Sequence, residues 1–158
     1  GWIRRAMVID LDVHQGNGTA AIFESDPSVF TLSVHGEKNF PFRKAVSTLD
    51  LGLPDGTGDE EYMEAIKPAV CGALDRFECD LVIYLAGIDV LAGDRFGRLA
   101  LTRGGLHRRD RFILEEVRGR DLPLLCLLSG GYAESPEKTA DYHAVVHREA
   151  SGINLPRG

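Results

Sequence analysis

Near the start of the chain stands AMVIDLDVHQGNG, residues 6–18. Its first four residues, Ala6 to Ile9, are apolar and too few for a helix, so they predict a buried strand. Asp10, Asp12 and His14 follow at alternate positions, before glycines break the regular pattern. Because alternate side chains of an extended segment point the same way, Asp12 and His14 can both face one ion.

The rest of the chain alternates between strand and helix patterns. Further buried strands are predicted at Val29 to Val34, Leu81 to Ala86 and Leu122 to Leu128. Helices are predicted at Gly18 to Phe23, Asp59 to Phe77, Thr102 to about Arg118 and from Ser135 onwards. The segment between Gly36 and Gly58 is expected to be a functional loop. Strands that alternate with helices predict an α/β domain with a parallel sheet and right-handed crossovers.

Composition narrows the classes of function. The chain has 158 residues, the size of about one domain, and a formal net charge of -6, which argues against nucleic-acid binding. No apolar stretch approaches the roughly 20 residues of a membrane helix, and no signal peptide pattern is present. The three cysteines show no C-x-x-C spacing. Neither a disulfide framework nor a cysteine zinc site is therefore expected, and a cytoplasmic location is the default.

Polar residues follow three of the predicted strands, where an open parallel sheet binds its ligands. They are Asp10, Asp12 and His14 after the first strand, Asp89 and Asp94 after the third, and Ser129 to Tyr132 after the fourth. Two carboxylates and one imidazole would leave an open position on a zinc ion, as in catalytic sites. Taken singly, each feature has a plainer explanation: a solvated turn with capping aspartates, a Gly-Asp turn, or a tyrosine at the edge of the core.

Three motifs in order resemble the zinc-dependent histone deacetylase superfamily, which includes acetoin-utilisation-type and acetylpolyamine deacetylases. They are residues 8–19, 86–95 and 129–132, and residues 30–42 and 53–58 also resemble the bacterial branch nearest class IV. The resemblance implies a three-layer α-β-α fold with a mainly parallel sheet, as in arginases and deacetylases. It also implies that residues 1–158 form a single partial domain whose amino-terminal part is missing.

Carried over position by position, the resemblance makes Asp12, His14 and Asp94 the ligands of zinc, with iron(II) as the alternative metal. Tyr132 would donate a hydrogen bond to the amide oxygen as a metal-activated water attacks, in the manner of an oxyanion hole. The implied substrate is an acetylated lysine or an acetylated small amine.

The resemblance implies further roles around this centre. A structural potassium ion would be held by nearby carbonyls together with Asp10, Asp12, His14 and Ser33. Phe40 or Phe42 would form one wall of the substrate channel, the alternative being simple packing of a long loop. Gly130 and Gly131 would give the backbone the close approach and the turn that aim Tyr132.

One departure from the family concerns its general base. The family carries two adjacent histidines before the D-x-D-x-H strand, whereas none of the five histidines of this chain are adjacent. General acid–base catalysis typically contributes about 10²–10⁴-fold. We therefore expect the parent protein to be an active deacylase and this chain by itself to be impaired. Because the missing part would also supply neighbouring strands, we expect the chain to self-associate through an exposed sheet edge.

Two other functions remain open from the sequence. A hydrophobic strand followed by D-x-D is also the nucleophile motif of haloacid-dehalogenase-like, magnesium-dependent phosphatases, in which Asp10 would attack phosphorus. His14 would then have no role, because magnesium prefers oxygen ligands. The other alternative is a non-catalytic module that binds a metal or an acylated amine.

Overall fold

The computed structural model describes residues 2–153. Its elements are β1 (Ala6–Asp10), α1 (Asn17–Phe23), β2 (Val29–Gly36), β3 (Leu49–Leu53), α2 (Asp59–Arg76), β4 (Leu81–Ala86), α3 (Arg103–Gly119), β5 (Leu124–Leu128) and α4 (Pro136–Gly152). The five strands form one sheet in the order β3-β2-β1-β4-β5, and every neighbouring pair is parallel. The predicted α/β architecture is confirmed.

The strand order locates the binding edge of the sheet. From β1 the chain moves through α1 to β2 and β3, then crosses back through α2 to β4 and continues through α3 to β5. The direction of travel therefore reverses between β1 and β4. At such a switch point the carboxyl ends of two neighbouring strands diverge and leave a crevice, which is where open α/β sheets bind ligands.

The helices follow from local sequence. α2 begins with three acidic residues, Asp59, Glu60 and Glu61, which favour a helix N-terminus. Thr102 caps α3 by accepting a hydrogen bond from the Gly105 N–H, and Ser135 caps α4, with proline at its start. Pro68 lies on the exposed side of α2, and the helix continues past it.

The predicted loop between Gly36 and Gly58 contains a strand that sequence patterns did not indicate. β3 pairs with β2 at the edge of the sheet, where Ser33 is opposite Asp50 and His35 is opposite Gly52. Asp50 and Gly52 are poor strand formers, so pairing with β2 outweighs local preference here. β5 also begins at Leu124 and not at the expected Leu122.

The two faces of the sheet are covered unequally. Right-handed crossovers place α1 on one face and α2 to α4 on the other, and α3 contacts both α2 and α4. On the helix-rich side, Val82 and Tyr84 of β4 are fully buried. On the α1 side, Leu125 and Leu127 of β5 remain 46% and 41% exposed. Leu125 lies opposite Ile83 on β4, so this open apolar face extends across two strands.

Two findings bear on the expectations from composition. Across residues 2–153, no helix has both the length and the apolar character needed to cross a membrane. Cys71, Cys79 and Cys126 are free thiols.

Candidate metal centre

Three side chains converge in the crevice between β1 and β4. Asp12 and His14 lie just beyond the end of β1, and Asp89 lies three residues beyond β4. One ligand atom from each of the three lies within 4.8 Å of the others. Nδ1 of His14 is 3.1 Å from Oδ1 of Asp12 and 3.2 Å from Oδ2 of Asp89. The topology therefore brings the two side chains that follow β1 and the one that follows β4 to one point.

Backbone hydrogen bonds hold this cluster in place. The Val13 N–H donates to Oδ1 of Asp89 over 2.9 Å, which ties the loop after β1 to the loop after β4. Oδ2 of Asp12 accepts hydrogen bonds of 2.7 Å from the Ser129 hydroxyl and the Gly130 N–H. The segment after β5 is thereby attached to the same carboxylate. As predicted, the three polar clusters meet at one edge of the sheet.

Burial and proximity shift the proton affinities of the cluster. Hydrogen bonds raise the pKa of His14 to about 10, and the bond to Asp12 has a larger effect than the bond to Asp89. Burial raises the pKa of Asp89 to about 6. Burial also acts to raise the pKa of Asp12, but hydrogen bonds from His14 and Ser129 outweigh it and hold that pKa well below its usual range. The raised pKa of His14 reflects the two carboxylates beside it, whose negative charge also favours binding of a cation.

The donor set fits a divalent metal ion. The side chain of Asp89 is fully buried and that of Asp12 is 12% exposed. Within residues 2–153 their ionic partner is His14, with no lysine or arginine in salt-bridge range. Buried carboxylates are normally paired or bound to a metal. Three mixed oxygen and nitrogen ligands also leave room for a water or a substrate atom.

The assignment of the third ligand to Asp94, made from the resemblance, stays a prediction, because Asp94 and Asp89 both lie in the loop after β4. Asp94 is not part of the cluster, and both of its carboxylate oxygens accept backbone hydrogen bonds. Oδ1 accepts from the N–H groups of Phe96 and Gly97, and Oδ2 accepts from the N–H of Tyr132. Asp89, which lies nearer the end of β4, is the carboxylate of this loop that lies within the cluster.

Asp94 instead organises the segment that carries Tyr132. The 2.7 Å hydrogen bond from the Tyr132 N–H anchors this tyrosine, whose side chain is partly exposed. Phe96 packs edge-to-face on the Tyr132 ring with a centroid distance of 4.8 Å. Sequence reasoning did not single out Phe96. Its position two residues after Asp94, in a turn closed by that side chain, was the available signal.

The glycines before Tyr132 are required by close packing. A Cβ atom at Gly130 would overlap the carboxylates of both Asp89 and Asp12. A Cβ atom at Gly131 would overlap the side chain of Ile88. The expected close approach of this backbone is therefore present in the structure.

Asp10 and Ser33 lie opposite each other on β1 and β2, beneath the cluster. Asp10 is buried, and its Oδ1 accepts a hydrogen bond from the Asp12 N–H. Burial raises the pKa of Asp10 to about 7. Ser33 Oγ lies 3.0 Å from Nδ1 of His35 and accepts a hydrogen bond from the Gly16 N–H. A nucleophilic role for Asp10 is disfavoured, since this carboxylate is enclosed below the metal-binding cluster.

The two candidate channel residues differ in position. The carbonyl of Phe40 accepts a hydrogen bond from the N–H of Gln15, the neighbour of His14. Phe40 is 62% exposed, and Phe42 is 94% exposed. Both roles therefore stay predictions, and the backbone contact brings Phe40 near His14.

Comparison with known proteins agrees with the fold. The family described as histone deacetylase domain matches residues 1–148. An uncharacterised protein of Picosynechococcus sp. is 44% identical over 153 residues, covering 97% of this chain and 51% of its own length. Histone deacetylase 2 of Arabidopsis thaliana is 37% identical over 136 residues, covering 84% of this chain and 35% of its own length.

Solved structures show the same similarity. The histone deacetylase Clr3 superposes with a TM-score of 0.78 at 27% identity, over 98% of this chain and 28% of its own. Acetylpolyamine aminohydrolase from Burkholderia pseudomallei has a TM-score of 0.75 at 24% identity, over 95% of this chain and 44% of its own, which supports the fold. The chain spans about half, or less, of the length of these relatives. With its family match over nearly the whole sequence, the chain belongs to the histone deacetylase domain family.

Proposed function

We propose that the protein is a metal-dependent deacetylase that hydrolyses the amide of an acetylated lysine or an acetylated small amine. The observation that carries this proposal is the convergence of Asp12, His14 and Asp89 beside the segment that bears Tyr132. Family membership supports the reaction type, because the matched relatives include named histone deacetylases. The similarity to an acetylpolyamine aminohydrolase supports small acetylated amines as alternative substrates.

Asp12, His14 and Asp89 would hold the ion, with zinc favoured and iron(II) as the alternative. When bound, a divalent ion supplies Lewis-acid polarisation of a carbonyl and lowers the pKa of a coordinated water. Asp10 and Ser33 would contribute to a potassium site beneath it. This second site is supported by their side-by-side positions on β1 and β2 and by the burial of the Asp10 carboxylate.

The protein groups around the ion would handle the substrate. The Tyr132 hydroxyl would donate a hydrogen bond to the amide oxygen as negative charge develops on it. Phe40, with Phe42 as the outer alternative, would form a wall of the channel for the acylated side chain. Phe96, which packs on the Tyr132 ring, would restrict the orientation of the tyrosine.

None of the five histidines of these 158 residues are adjacent, and this affects the rate at which the chain can hydrolyse an amide. We propose that these 158 residues by themselves bind metal and acylated amine but hydrolyse slowly, because the resemblance assigns the general base to adjacent histidines and none of theirs are adjacent. A metal-dependent binding module without catalysis is the second candidate, and the same observation favours it.

Hydroxamate binding to the zinc-loaded chain tests the proposal without requiring a general base. We expect a hydroxamate to bind the zinc-loaded protein and to lose measurable affinity in the metal-free protein and in His14→Ala. Acetate release from an acetyl-lysine peptide and from an acetylated polyamine is measured in parallel. A folded, zinc-loaded chain with no hydroxamate affinity would contradict the proposed function. Rapid turnover that a chelator abolishes would contradict only the expected impairment.

The open face of β4 and β5 supports self-association of the chain. Leu125 and Leu127 lie on an edge strand whose outer backbone groups are unpaired in the described sheet. We expect Leu125→Lys with Leu127→Lys to shift sedimentation towards the monomer. Ile22→Lys, an exposed apolar position on α1, serves as the control for added charge. A wild-type chain that is monomeric across the concentration range would contradict this proposal.

A further inference from the structure

Arg109 is a charged side chain in the middle of the core. It lies on α3, has no exposed surface, and is the largest fully buried side chain of the described residues. Burial of an arginine is costly unless its charge is paired and its N–H groups find acceptors. Its contacts therefore indicate what the buried charge does.

Two of these acceptors belong to the loops that carry the metal ligands. Nη1 of Arg109 donates to the carbonyl of Gly87 over 2.6 Å and to the carbonyl of Leu11 over 3.3 Å. Leu11 directly precedes Asp12, and Gly87 lies two residues before Asp89. One guanidinium group thus contacts both the segment that leads into Asp12 and the segment that leads into Asp89.

These contacts lie where the sheet ladder stops. The paired register of β1 and β4 ends at Asp10 opposite Leu85, and the Leu11 N–H still donates to the Leu85 carbonyl. Beyond that point the strands diverge, so the next carbonyls cannot be satisfied by the neighbouring strand. Arg109 donates hydrogen bonds to both of these carbonyls and so bridges the two strand ends.

Asp110 orients the guanidinium. Its Oδ1 accepts a 2.9 Å hydrogen bond from Nε of Arg109 and lies 2.8 Å from Nη2. The same oxygen accepts a 2.6 Å hydrogen bond from the hydroxyl of Tyr84 on β4. The rigid fork of arginine can contact a carboxylate and two carbonyls together, which the single ammonium of lysine does less well.

We propose that Arg109 is a positioning residue that holds the loops after β1 and β4 at the separation needed for metal binding by Asp12, His14 and a carboxylate of the loop after β4. The inference rests on the proposed metal centre. Groups that orient metal ligands typically contribute about 10–100-fold to metal affinity. Arg109 acts on the backbone that presents the ligands and does not touch their side chains.

Cobalt(II) titration of Arg109 variants tests this inference, because its visible absorption reports both affinity and coordination geometry. The variants are Arg109→Lys, and Arg109→Met combined with Asp110→Asn, which removes the buried ion pair as a unit. We expect a roughly 10–100-fold rise in the Kd for cobalt and an altered spectrum in these variants. Tyr84→Phe is the matched control, since it perturbs the same network and keeps both carbonyl contacts. It should bind cobalt as the wild type does.

The outcomes separate positioning from general stabilisation. A folded Arg109 variant that binds cobalt within about twofold of the wild type, with the same spectrum, would overturn the inference. Failure of both variants to fold would also overturn it, because the role would then be purely structural. Equal losses in Tyr84→Phe would indicate the same. A wild-type chain that binds no cobalt would contradict the proposed metal centre itself, and the inference with it.

Discussion

Replacement of Asp89 by asparagine is expected to abolish stoichiometric zinc binding, whereas Asp94→Asn should leave about one zinc per chain. Asp89 contributes a fully buried carboxylate oxygen to the cluster with Asp12 and His14. The amide keeps the shape of the side chain but loses the negative charge that attracts the cation. We expect the loss to exceed the roughly 100-fold upper range seen for residues that only orient ligands. Elemental analysis after gel filtration measures it.

Asp94→Asn is the matched control because it changes the net charge by the same amount a few residues away. It should weaken the hydrogen bond that Asp94 accepts from the Tyr132 N–H, and so disturb the tyrosine segment without removing the metal. Circular dichroism confirms that both variants are folded. Zinc retained by Asp89→Asn and lost by Asp94→Asn would reverse the assignment made from the structure.

Tyr132→Phe is expected to keep zinc and hydroxamate binding but to lower the rate of amide hydrolysis by about 100- to 1000-fold. The variant lacks only the hydroxyl that would stabilise charge on the amide oxygen. The backbone anchor on Asp94 and the ring contact with Phe96 are retained. The rate is measured as acetate release from an acetyl-lysine peptide at saturating substrate, with zinc content determined on the same samples.

Phe96→Leu provides the control for this substitution. It loosens the packing of the Tyr132 ring but leaves the hydroxyl, so its loss in rate should be much smaller. If the zinc-loaded wild type hydrolyses the peptide faster than the metal-free chain does and Tyr132→Phe matches that rate, Tyr132 has no part in the reaction. A parallel loss of zinc would instead assign Tyr132 to the metal centre.

Strong periodic patterns made most of the fold predictable. The apolar stripe of α2 and the capping residues of α3 and α4 indicated three helices at nearly the observed bounds. Short apolar runs gave four strands, and alternation with the helices gave parallel pairing. β3 was missed because its residues Asp50 and Gly52 have low strand preference, and pairing with β2 depends on contacts distant in sequence.

The candidate site was predictable only where local geometry determines it. Asp12 and His14 follow from alternation along an extended segment at the end of β1. The choice between Asp89 and Asp94 depends on how the loop after β4 folds back, and in that loop Asp94 turns its oxygens to backbone donors. The assignment of Asp94 therefore stays a prediction from the resemblance, and Asp89 is the candidate that the geometry adds.

Other contributors leave no clear trace in the sequence. Arg109 lies three residues after Leu106 and four before Ile113, so helical spacing places it on the apolar face of α3, but this spacing does not show which groups its charge contacts. Its contact with the carbonyl of Leu11 joins positions 98 residues apart. Phe96 likewise becomes relevant only when the turn at Asp94 brings its ring against Tyr132. Such roles arise from tertiary structure and require coordinates.

The central claim is that Asp12, His14 and Asp89 together bind a catalytic metal ion. The most direct test is a crystal structure of the zinc-soaked protein, with anomalous scattering recorded on both sides of the zinc absorption edge. The account predicts one strong peak within coordination distance of the three side chains, with an open position facing the Tyr132 segment. A peak coordinated by Asp94, or no peak at the cluster in well-ordered crystals, would contradict it.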